Sequence, residues 1–304
     1  MLNDLSGLIT KAKEGDKRTI AVAAAEDVLI LEAVRDAVAA EVMTPLLIGD
    51  KGEIEKIARR LHFDLSRVDI LDNSEGAAAS ARIAVSKVKS GEADGIMKGY
   101  ISTGDLLRAV LDKDVGLRTG RLLSHLALFQ SPYYHKLLCV TDAAMNIAPG
   151  LAEKVQIIQN AVMMYHQLGI EMPKVAVAAA VEMPNSKMEA TLHASLLKAM
   201  NREGTLAGCI VDGPFAVDIA VSREAALHKG VDSQVAGDCD VILAPDIEAG
   251  NMFYKALNFL GGAVCASVII GASVPVVLTS RADDERTKLY SIALAACIGK
   301  GECD

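Results

Sequence analysis

Two segments of the chain place cations and hydroxyls where an apolar strand pattern gives way to a helix pattern. The first reads Lys-Gly-Tyr-Ile-Ser-Thr over residues 98–103. Ser102 or Thr103 can cap the helix that follows, and the unpaired N–H groups of a helix start attract anions. Lys98 adds a positive charge beside them, so the segment is typical of a phosphate site. An ordinary capped helix after a glycine turn explains the same residues, and both interpretations stay open.

The second segment, residues 279–284, reads Thr-Ser-Arg-Ala-Asp-Asp. Arg281 could bind a phosphate or a carboxylate through two parallel hydrogen bonds. A hydroxyl and a carboxylate beside it could orient a nucleophile or take its proton. The alternative, which the local sequence favours, is a helix cap formed by Ser280 or Asp283, with Arg281 in solvent.

Two further clusters follow apolar runs later in the chain. Residues 209–214 read Cys-Ile-Val-Asp-Gly-Pro, and an Asp-Gly-Pro sequence such as that of Asp212 is most often a turn. Residues 245–251 read Pro-Asp-Ile-Glu-Ala-Gly-Asn, and the Gly-Asn end could bring backbone close to a ligand. Lys255 lies four residues after Asn251, so both share one face if a helix has begun.

An alternation of strands and helices along the whole chain must position these segments. Unbroken apolar runs are typical of parallel strands buried on both faces, and apolar residues at three- and four-residue spacing are typical of helices. The alternation predicts a mostly parallel sheet with helices on both faces, in which ligands bind beyond the carboxyl ends of the strands. The predicted strands are 19–25, 45–49, 68–71, 95–97, 137–141, 175–181, 209–211, 241–244, 268–270 and 274–279, and the predicted helices are 26–40, 76–90, 152–168, 187–200 and 284–298.

Composition restricts the class of protein further. The 304 residues are 51% hydrophobic and carry a formal net charge of −8, which argues against non-specific binding of nucleic acid. No apolar run approaches the roughly 20 residues that span a bilayer, and the start of the chain lacks a signal-peptide core. The cysteines form no Cys-x-x-Cys pair and the histidines are scattered. We therefore expect a reduced, cytoplasmic chain with no metal site and no nucleic-acid or membrane partner.

Taken together, the clusters resemble the phosphate acetyltransferase and phosphate butyryltransferase family. The resemblance runs over nearly the whole chain, and the order and spacing of individually modest motifs make it specific. The compact length of the chain and the residues of its Asp-Gly-Pro and Ser-Arg-Ala-Asp segments resemble the butyryl branch more closely than the acetyl branch. The matching segments are 98–103, 141–149 (Thr-Asp-Ala-Ala-Met-Asn-Ile-Ala-Pro), 211–214, 229–230 with 236–238, 245–251 with Lys255, and 280–283.

The resemblance implies an isocitrate-dehydrogenase-like fold of two three-layer αβα domains with mostly parallel sheets and a cleft between them. Residues 1–133 and 281–304 would form the first domain, and residues 134–280 the second, which would carry the contact of a homodimer or larger homo-oligomer. The implied reaction is the reversible conversion of acyl-CoA and phosphate into acyl phosphate and CoA, with a short-chain acyl group such as butyryl or acetyl. Coenzyme A is a substrate here, and the chemistry requires no cofactor and no metal.

The resemblance also implies a set of site residues. Ser280 and Arg281 match the active-site Ser-Arg pair of the family, and Ser102 and Thr103 match its phosphate-contacting hydroxyls. The residues expected to bind phosphate or another part of the substrates are Lys98, Ser102, Thr103, Asn146, Asp212, Asn251 and Lys255. Cations and N–H donors from two halves of the molecule would then converge on one phosphoryl group beside a thioester sulfur.

The general base is the least determined of these residues. In the acetyl branch, a carboxylate about two helical turns beyond the Ser-Arg pair is proposed to deprotonate the CoA thiol. Thr287 or Lys288 stands near that offset in this sequence. We assign the role to Asp284, with Asp283 as the alternative.

Three other functions are compatible with the same fold. Related two-domain proteins make acyl phosphates from carrier-protein thioesters, or oxidise phosphorylated hydroxy compounds with NAD. The oxidation would need a metal-binding cluster of acids and histidines, which the sequence does not show. A regulatory acyl-CoA-binding module is the non-enzymatic alternative, and the presence of Ser280 and Arg281 favours catalysis over it.

Overall fold

The computed structural model describes residue 2, residues 4–278 and residues 284–299. The chain forms two compact units. Unit I consists of Leu5–Arg121 and the described residues from Ala266 onward, and unit II consists mainly of Leu122–Cys265. The divisions fall at 121/122 and 265/266 rather than at the predicted 133/134 and 280/281. The segment around Pro132 connects two antiparallel strands within unit II, where the Tyr134 hydroxyl donates to the Cys239 carbonyl oxygen at 2.8 Å.

The described part of the chain alternates strands and helices, as predicted. In chain order the strands are β1 (Thr19–Ala23), β2 (Thr44–Gly49), β3 (Asp69–Asp72), β4 (Gly95–Lys98), β5 (Ser124–Gln130), β6 (Leu138–Thr141), β7 (Lys174–Ala178), β8 (Ile210–Phe215), β9 (Val241–Leu243), β10 (Val264–Ile270) and β11 (Val276–Val277). The helices are α1 (Ser6–Glu14), α2 (Val28–Ala39), α3 (Lys51–Arg60), α4 (Ala77–Lys89), α5 (Thr103–Val110), α6 (Leu151–Gln167), α7 (Glu189–Arg202), α8 (Val217–Val221), α9 (Arg223–His228), α10 (Ile247–Phe259) and α11 (Glu285–Cys297).

Unit I is built on strands in the order β3-β2-β1-β4-β11-β10. The first five run parallel, and β10 is antiparallel to β11. Ala23 at the end of β1 is in register with Ile48 of β2 and with Lys98 of β4. Because the chain moves from β1 to β2 on one side and later returns to β4 on the other, the strand order reverses at β1. Such a switch point, at the carboxyl ends, is where open α/β sheets bind ligands.

Helices cover the sheet of unit I in two groups. Helix α11 packs on α1 and α2, and α4 packs on α5 and on β1. The core side chains of β1, β2 and β4 are fully buried, as in Val22, Leu47 and Met97. Burial on both faces explains why these strands read as unbroken apolar runs.

Unit II has the strand order β5-β6-β9-β7-β8, in which β6, β9, β7 and β8 are parallel and β5 is antiparallel to β6. The carboxyl ends of the four parallel strands therefore share one edge. One apolar cluster joins β6, β7 and β9 to α8 and α9, and another packs Tyr254 of α10 against Phe129 of β5. No helix in the described part of the chain is long and apolar enough to cross a membrane.

Candidate active site

The loop after β4 holds Lys98 at the switch point of unit I. Gly99 lies so close to β1 that a Cβ atom there would sit 2.0 Å from the Ala24 carbonyl oxygen, and Tyr100 N–H donates to that oxygen at 2.7 Å. The ammonium of Lys98 turns back over the loop and donates to the Ile101 carbonyl oxygen at 3.2 Å. The glycine therefore fixes the position of a cation directly before the start of α5.

Ser102, one of the two residues that the sequence offers as a cap, caps α5. Its hydroxyl oxygen accepts from Asp105 N–H at 3.0 Å, and its hydroxyl hydrogen goes to Asp105 Oδ2 at 2.7 Å. Thr103 is the first residue of the helix and is exposed. Hydrogen bonds from Ser102, then Arg108, hold the pKa of Asp105 below its usual range. A carboxylate of the chain thus already interacts with the hydroxyl that is expected to contact phosphate.

Arg108 does not extend freely towards the start of α5. Its guanidinium pairs with Asp105, and it lines a cavity of about 470 Å³ between α4 and α5. Arg82, Lys89 and Asp112 also line this cavity. The cavity is therefore lined by three cations, one of them paired, and by the two carboxylates of Asp105 and Asp112.

The last predicted segment is described only from Asp284 onward. Ser280, Arg281 and Asp283 lie outside the described residues. Asp284, rather than Ser280 or Asp283, caps α11, and its Oδ1 accepts from Thr287 N–H at 2.7 Å. Thr287 and Lys288, near the offset of the acetyl-branch carboxylate, are both buried. The proposed base is thus a helix cap whose second oxygen has no hydrogen bond within the described part of the chain.

Asn146 of unit II belongs to a hydrogen-bonded loop after β6. The buried Asp142 accepts from the N–H groups of Ala144 and Met145 at 2.9 and 3.0 Å, and from the Asn146 amide at 2.6 Å. The same amide nitrogen donates to the Leu123 carbonyl oxygen at 2.8 Å. Both N–H bonds of Asn146 are used within the chain, so only its side-chain oxygen could meet a ligand.

Asn251 and Lys255 share an exposed face of α10, as their spacing predicts. Asn251 donates to the Ala143 carbonyl oxygen at 3.0 Å. The Lys255 ammonium lies 5.1 and 5.7 Å from the ring centroids of Tyr254 and Phe259, within the range of cation–π attraction. The sequence suggests that the backbone at Gly250 could approach a ligand. In the structure it approaches the loop after β6 instead, since a Cβ atom at Gly250 would lie 2.3 Å from the Asp142 carbonyl oxygen.

Asp212 lies inside β8, so the Asp-Gly-Pro segment is part of a strand rather than a turn. Its carboxylate pairs with Lys198 of α7 and accepts from Gly213 N–H at 2.8 Å. The side chain is largely buried in this pairing. Asp212 therefore holds α7 against the sheet in the structure, and its predicted contact with substrate stays a prediction.

His125 was not anticipated from the sequence, and it lies beside the loop that holds Asp142. It is 8% exposed, and its Nδ1 has no hydrogen-bond partner in the described part of the chain. Burial lowers the pKa of His125, with Asp142 opposing and Lys255 adding to the shift. The imidazole is therefore neutral near pH 7. No sequence signal marked it, because it stands in β5, a strand that the apolar-run pattern missed.

A buried lysine also lies in unit II, on α6. Lys154 is 4% exposed, and its Nζ is 3.1 Å from Nδ1 of His193 on α7. Burial lowers the pKa of Lys154, while Glu189 and Asp246 oppose the shift. A lone lysine within a helix pattern gives no sequence signal of this pairing. In the described residues, no group of three or more His, Cys, Asp or Glu side chains could hold a metal ion.

The fold and these sites define an α/β protein whose candidate binding residues follow the carboxyl ends of parallel strands. A family model described as "Phosphate acetyl/butaryl transferase" matches residues 5–81 and 76–296. The chain belongs to this family of phosphate acyltransferases, and the predicted family is confirmed.

Individual relatives agree with the family assignment. The chain is 45% identical to a phosphate butyryltransferase of Clostridium acetobutylicum, over 98% of this chain and 99% of the relative. It is 46% identical to a phosphate acetyltransferase of Thermotoga maritima, over 96% and 98% of the two chains. The crystal structure of a branched-chain phosphotransacylase from Enterococcus faecalis V583 superposes with a TM-score of 0.82 and 33% identity, covering 93% of this chain and 99% of that one. The predicted α/β fold class is confirmed as well.

Proposed function

We propose that this chain transfers a short-chain acyl group reversibly between coenzyme A and inorganic phosphate. The relatives named phosphate butyryltransferase and phosphate acetyltransferase support this reaction. The observation that carries the proposal is the loop after β4, where the Lys98 ammonium stands directly before the N-terminus of α5 at the switch point of unit I. Together these groups provide the positive potential that a phosphate requires.

In the proposed reaction, the CoA sulfur attacks the carbonyl carbon of an acyl phosphate, the carbon–oxygen bond to phosphate breaks, and the thiol proton passes to a base. A thiol of pKa ~8.5 is mostly protonated at neutral pH, so a nearby carboxylate assists the attack. We assign this role to Asp284. Lys98 and Arg281 stabilise the charge on phosphate, and Ser280 forms a hydrogen bond with the developing oxyanion or with the thiol. Each preorganised donor of this kind is worth about 2.7–4 kcal/mol in other enzymes.

The residues of unit II are proposed to bind other parts of the substrates. Lys255 is exposed and held between two aromatic rings, so it suits an anionic group of CoA or acyl phosphate. Asn251 retains one amide hydrogen for a ligand beyond its bond to Ala143. Asn146 and Asp212 are assigned weaker roles, because their polar atoms already bond within the chain.

Thiol release in the presence and absence of phosphate tests the proposed reaction. The protein is incubated with acetyl-, butyryl- and longer acyl-CoAs, and free CoA thiol is followed with and without inorganic phosphate. Phosphate-dependent release together with acyl phosphate formation is the expected result. Release without phosphate would identify a thioesterase, and binding without release would identify an acyl-CoA-binding module. Release only from an acyl carrier-protein thioester would identify the carrier-protein reaction.

We also propose that the chain acts in the cytoplasm as a homodimer. Five cysteines in the described part of the chain are free, four of them buried, which suits a reducing compartment. The dimer follows from the family resemblance. Sedimentation velocity measures it directly, since a dimer contains two chains of 32.0 kDa. A single-chain species across the micromolar range would contradict it.

A further inference from the structure

Glu26 has a buried carboxylate oxygen that nothing in the described part of the chain satisfies. It stands three residues after the end of β1, beside the switch point of unit I. Its Oε2 atom is buried and has no hydrogen-bond partner. A buried acceptor left without a donor costs free energy, and such groups in native structures need an explanation.

The backbone around Glu26 is shaped to hold the carboxylate where it lies. Ala24 adopts a φ of 58°, a left-handed conformation that is uncommon for a residue with a Cβ atom. Gly49, at the end of the neighbouring β2, leaves the space that the carboxylate occupies. A Cβ atom at Gly49 would sit 1.8 Å from Glu26 Oε2. An unfavourable conformation and a glycine thus both accompany an oxygen that has no partner within the chain.

Glu26 as a whole is partly exposed, so a rotation of its side chain would bring this oxygen to a ligand group that has a hydrogen to donate. The Glu26 carboxylate lies beside Gly49 at the end of β2, and the Lys98 loop, the proposed phosphate site, follows β4, with β1 between them. Adjacent strands are about 4.8 Å apart, so the two sites are separated by roughly 10 Å. The pantetheine arm of CoA, with its two amide N–H groups and its hydroxyl, lies at this range from the thiol. The adenosine end lies farther away.

We propose that Glu26 is a CoA-binding residue whose carboxylate accepts a hydrogen bond from the pantetheine arm. The assignment rests on the proposed function, because CoA is the substrate named there. It concerns unit I alone. It also gives the carboxylate a partner only when substrate is bound, which accounts for its lack of one in the chain.

Calorimetric titration of CoA against two variants tests the assignment without relying on turnover. Glu26→Ala removes the acceptor, and Gly49→Ala displaces the same carboxylate while keeping its charge. Both should weaken CoA binding by roughly 10- to 100-fold, the range for a hydrogen bond to a charged group. The affinity for pantetheine should fall by the same factor, whereas the affinities for adenosine 3′,5′-bisphosphate and inorganic phosphate should be unchanged. Glu41→Ala is the matched control, since it removes an exposed carboxylate at a residue with a similar φ of 57°.

The outcomes separate this inference from the proposed function. A parent protein that binds no CoA would overturn both. CoA binding that is unchanged in Glu26→Ala would overturn the inference alone, as would weaker binding of the nucleotide fragment with normal pantetheine binding. A large loss of kcat with unchanged CoA affinity would also overturn it, because that pattern marks a proton-transfer role. Thermal unfolding of ligand-free Glu26→Ala should occur at the parent temperature or above, since an unsatisfied group is removed.

Discussion

Ser102 serves two purposes at the start of α5, and its hydroxyl is shared between them. It caps the helix by accepting from Asp105 N–H, and in the proposed phosphate contact its hydrogen, which goes to Asp105 Oδ2 in the structure, turns to the phosphate instead. Ser102→Ala should raise the KM for phosphate by about tenfold, the effect of one lost charge-assisted hydrogen bond. It should also lower the free energy of unfolding by about 1 kcal/mol through the lost cap. Steady-state kinetics and urea unfolding measure the two effects separately.

Ser222→Ala provides the control for this prediction. Ser222 caps α9 in unit II, and its hydroxyl oxygen accepts from Ala225 N–H at 3.2 Å. Its substitution should cost similar stability and leave the KM for phosphate unchanged. An unchanged KM in Ser102→Ala would remove Ser102 from the phosphate site.

Asp284 can be tested as a base without disturbing its cap. Asn caps helices about as well as Asp, so Asp284→Asn keeps the bond to Thr287 N–H and removes only the ability to take a proton. If Asp284 is the base, kcat should fall by roughly 10²–10⁴-fold, and unfolding should be nearly unchanged. Asp50→Asn, at the equivalent cap of α3, should leave kcat normal. A normal kcat in Asp284→Asn would show that the carboxylate serves the helix alone.

At the residue scale, the sequence predicts where a side chain stands on its helix better than it predicts which groups that side chain hydrogen-bonds. The cap at Ser102 and the shared face of Asn251 and Lys255 follow from spacing, and the structure confirms both. The hydrogen bonds from the Asn146 amide to Leu123 and Asp142 cannot be predicted from spacing. The bond to Leu123 forms only because the loop after β6 meets a residue much earlier in the chain. The position of the unpartnered Glu26 oxygen likewise depends on a residue from another part of the chain, because Gly49 leaves the space that the oxygen occupies.

At the scale of elements, a cluster of charges joins the amino-terminal ends of the strands in unit II. Asp238, before β9, contacts Lys174 at the start of β7 at 2.5 Å, and His135 and Lys136 before β6 at 2.8 and 3.1 Å. Burial alone would raise the pKa of Asp238, but hydrogen bonds from Lys174, His135 and Lys136 outweigh it and hold the pKa well below its usual range. The cluster fixes the starts of three strands of unit II, at the edge opposite the carboxyl ends of the same strands.

Asp238→Asn should therefore destabilise the protein in a pH-dependent way. A carboxyl whose pKa is lower in the folded state stabilises the fold above its unfolded pKa of ~3.9, and the contribution is lost as pH falls through the folded value. We expect the free energy of unfolding of the variant to be about 1 kcal/mol lower at pH 7. This value is modest because the Asp238 side chain is partly exposed. The difference should shrink towards pH 2. Urea titrations at several pH values measure it, with Asp232→Asn as the exposed control.

The predicted elements that failed did so for reasons of tertiary context. The strand β5 was missed because Ser124 and His125 interrupt its apolar pattern, although both are buried in the fold. Within residues 274–278, the described part of the strand predicted at 274–279, only the short strand β11 forms, and Pro275 has no N–H for a ladder. The domain boundary expected at 133/134 falls in the loop between β5 and β6, whose residue Tyr134 packs into unit II.

At the scale of the whole molecule, the main part of unit II, Leu122–Cys265, is one continuous stretch of sequence, whereas unit I is formed from two long separate segments. Unit II has its own parallel sheet and two apolar clusters within Leu122–Cys265. We expect a fragment of residues 122–265 to unfold cooperatively on its own, as a compact domain does. A fragment of residues 5–121 should not, because it lacks β10, β11 and α11. Thermal unfolding followed by circular dichroism compares the two, and a folded 5–121 fragment would contradict the expectation.

The position of β11 has a consequence for synthesis on the ribosome. Strand β4 pairs with β1 on one side and with β11 on the other, and β11 is translated only after all of unit II. At the usual pace of translation, the outer edge of β4 waits roughly ten to thirty seconds for its neighbour. An unpaired edge is a template for association with another nascent chain. The first half of unit I therefore emerges as a sheet that lacks the neighbour of β4. During that interval another molecule must protect the unpaired edge, because the strand that covers it has not yet been made.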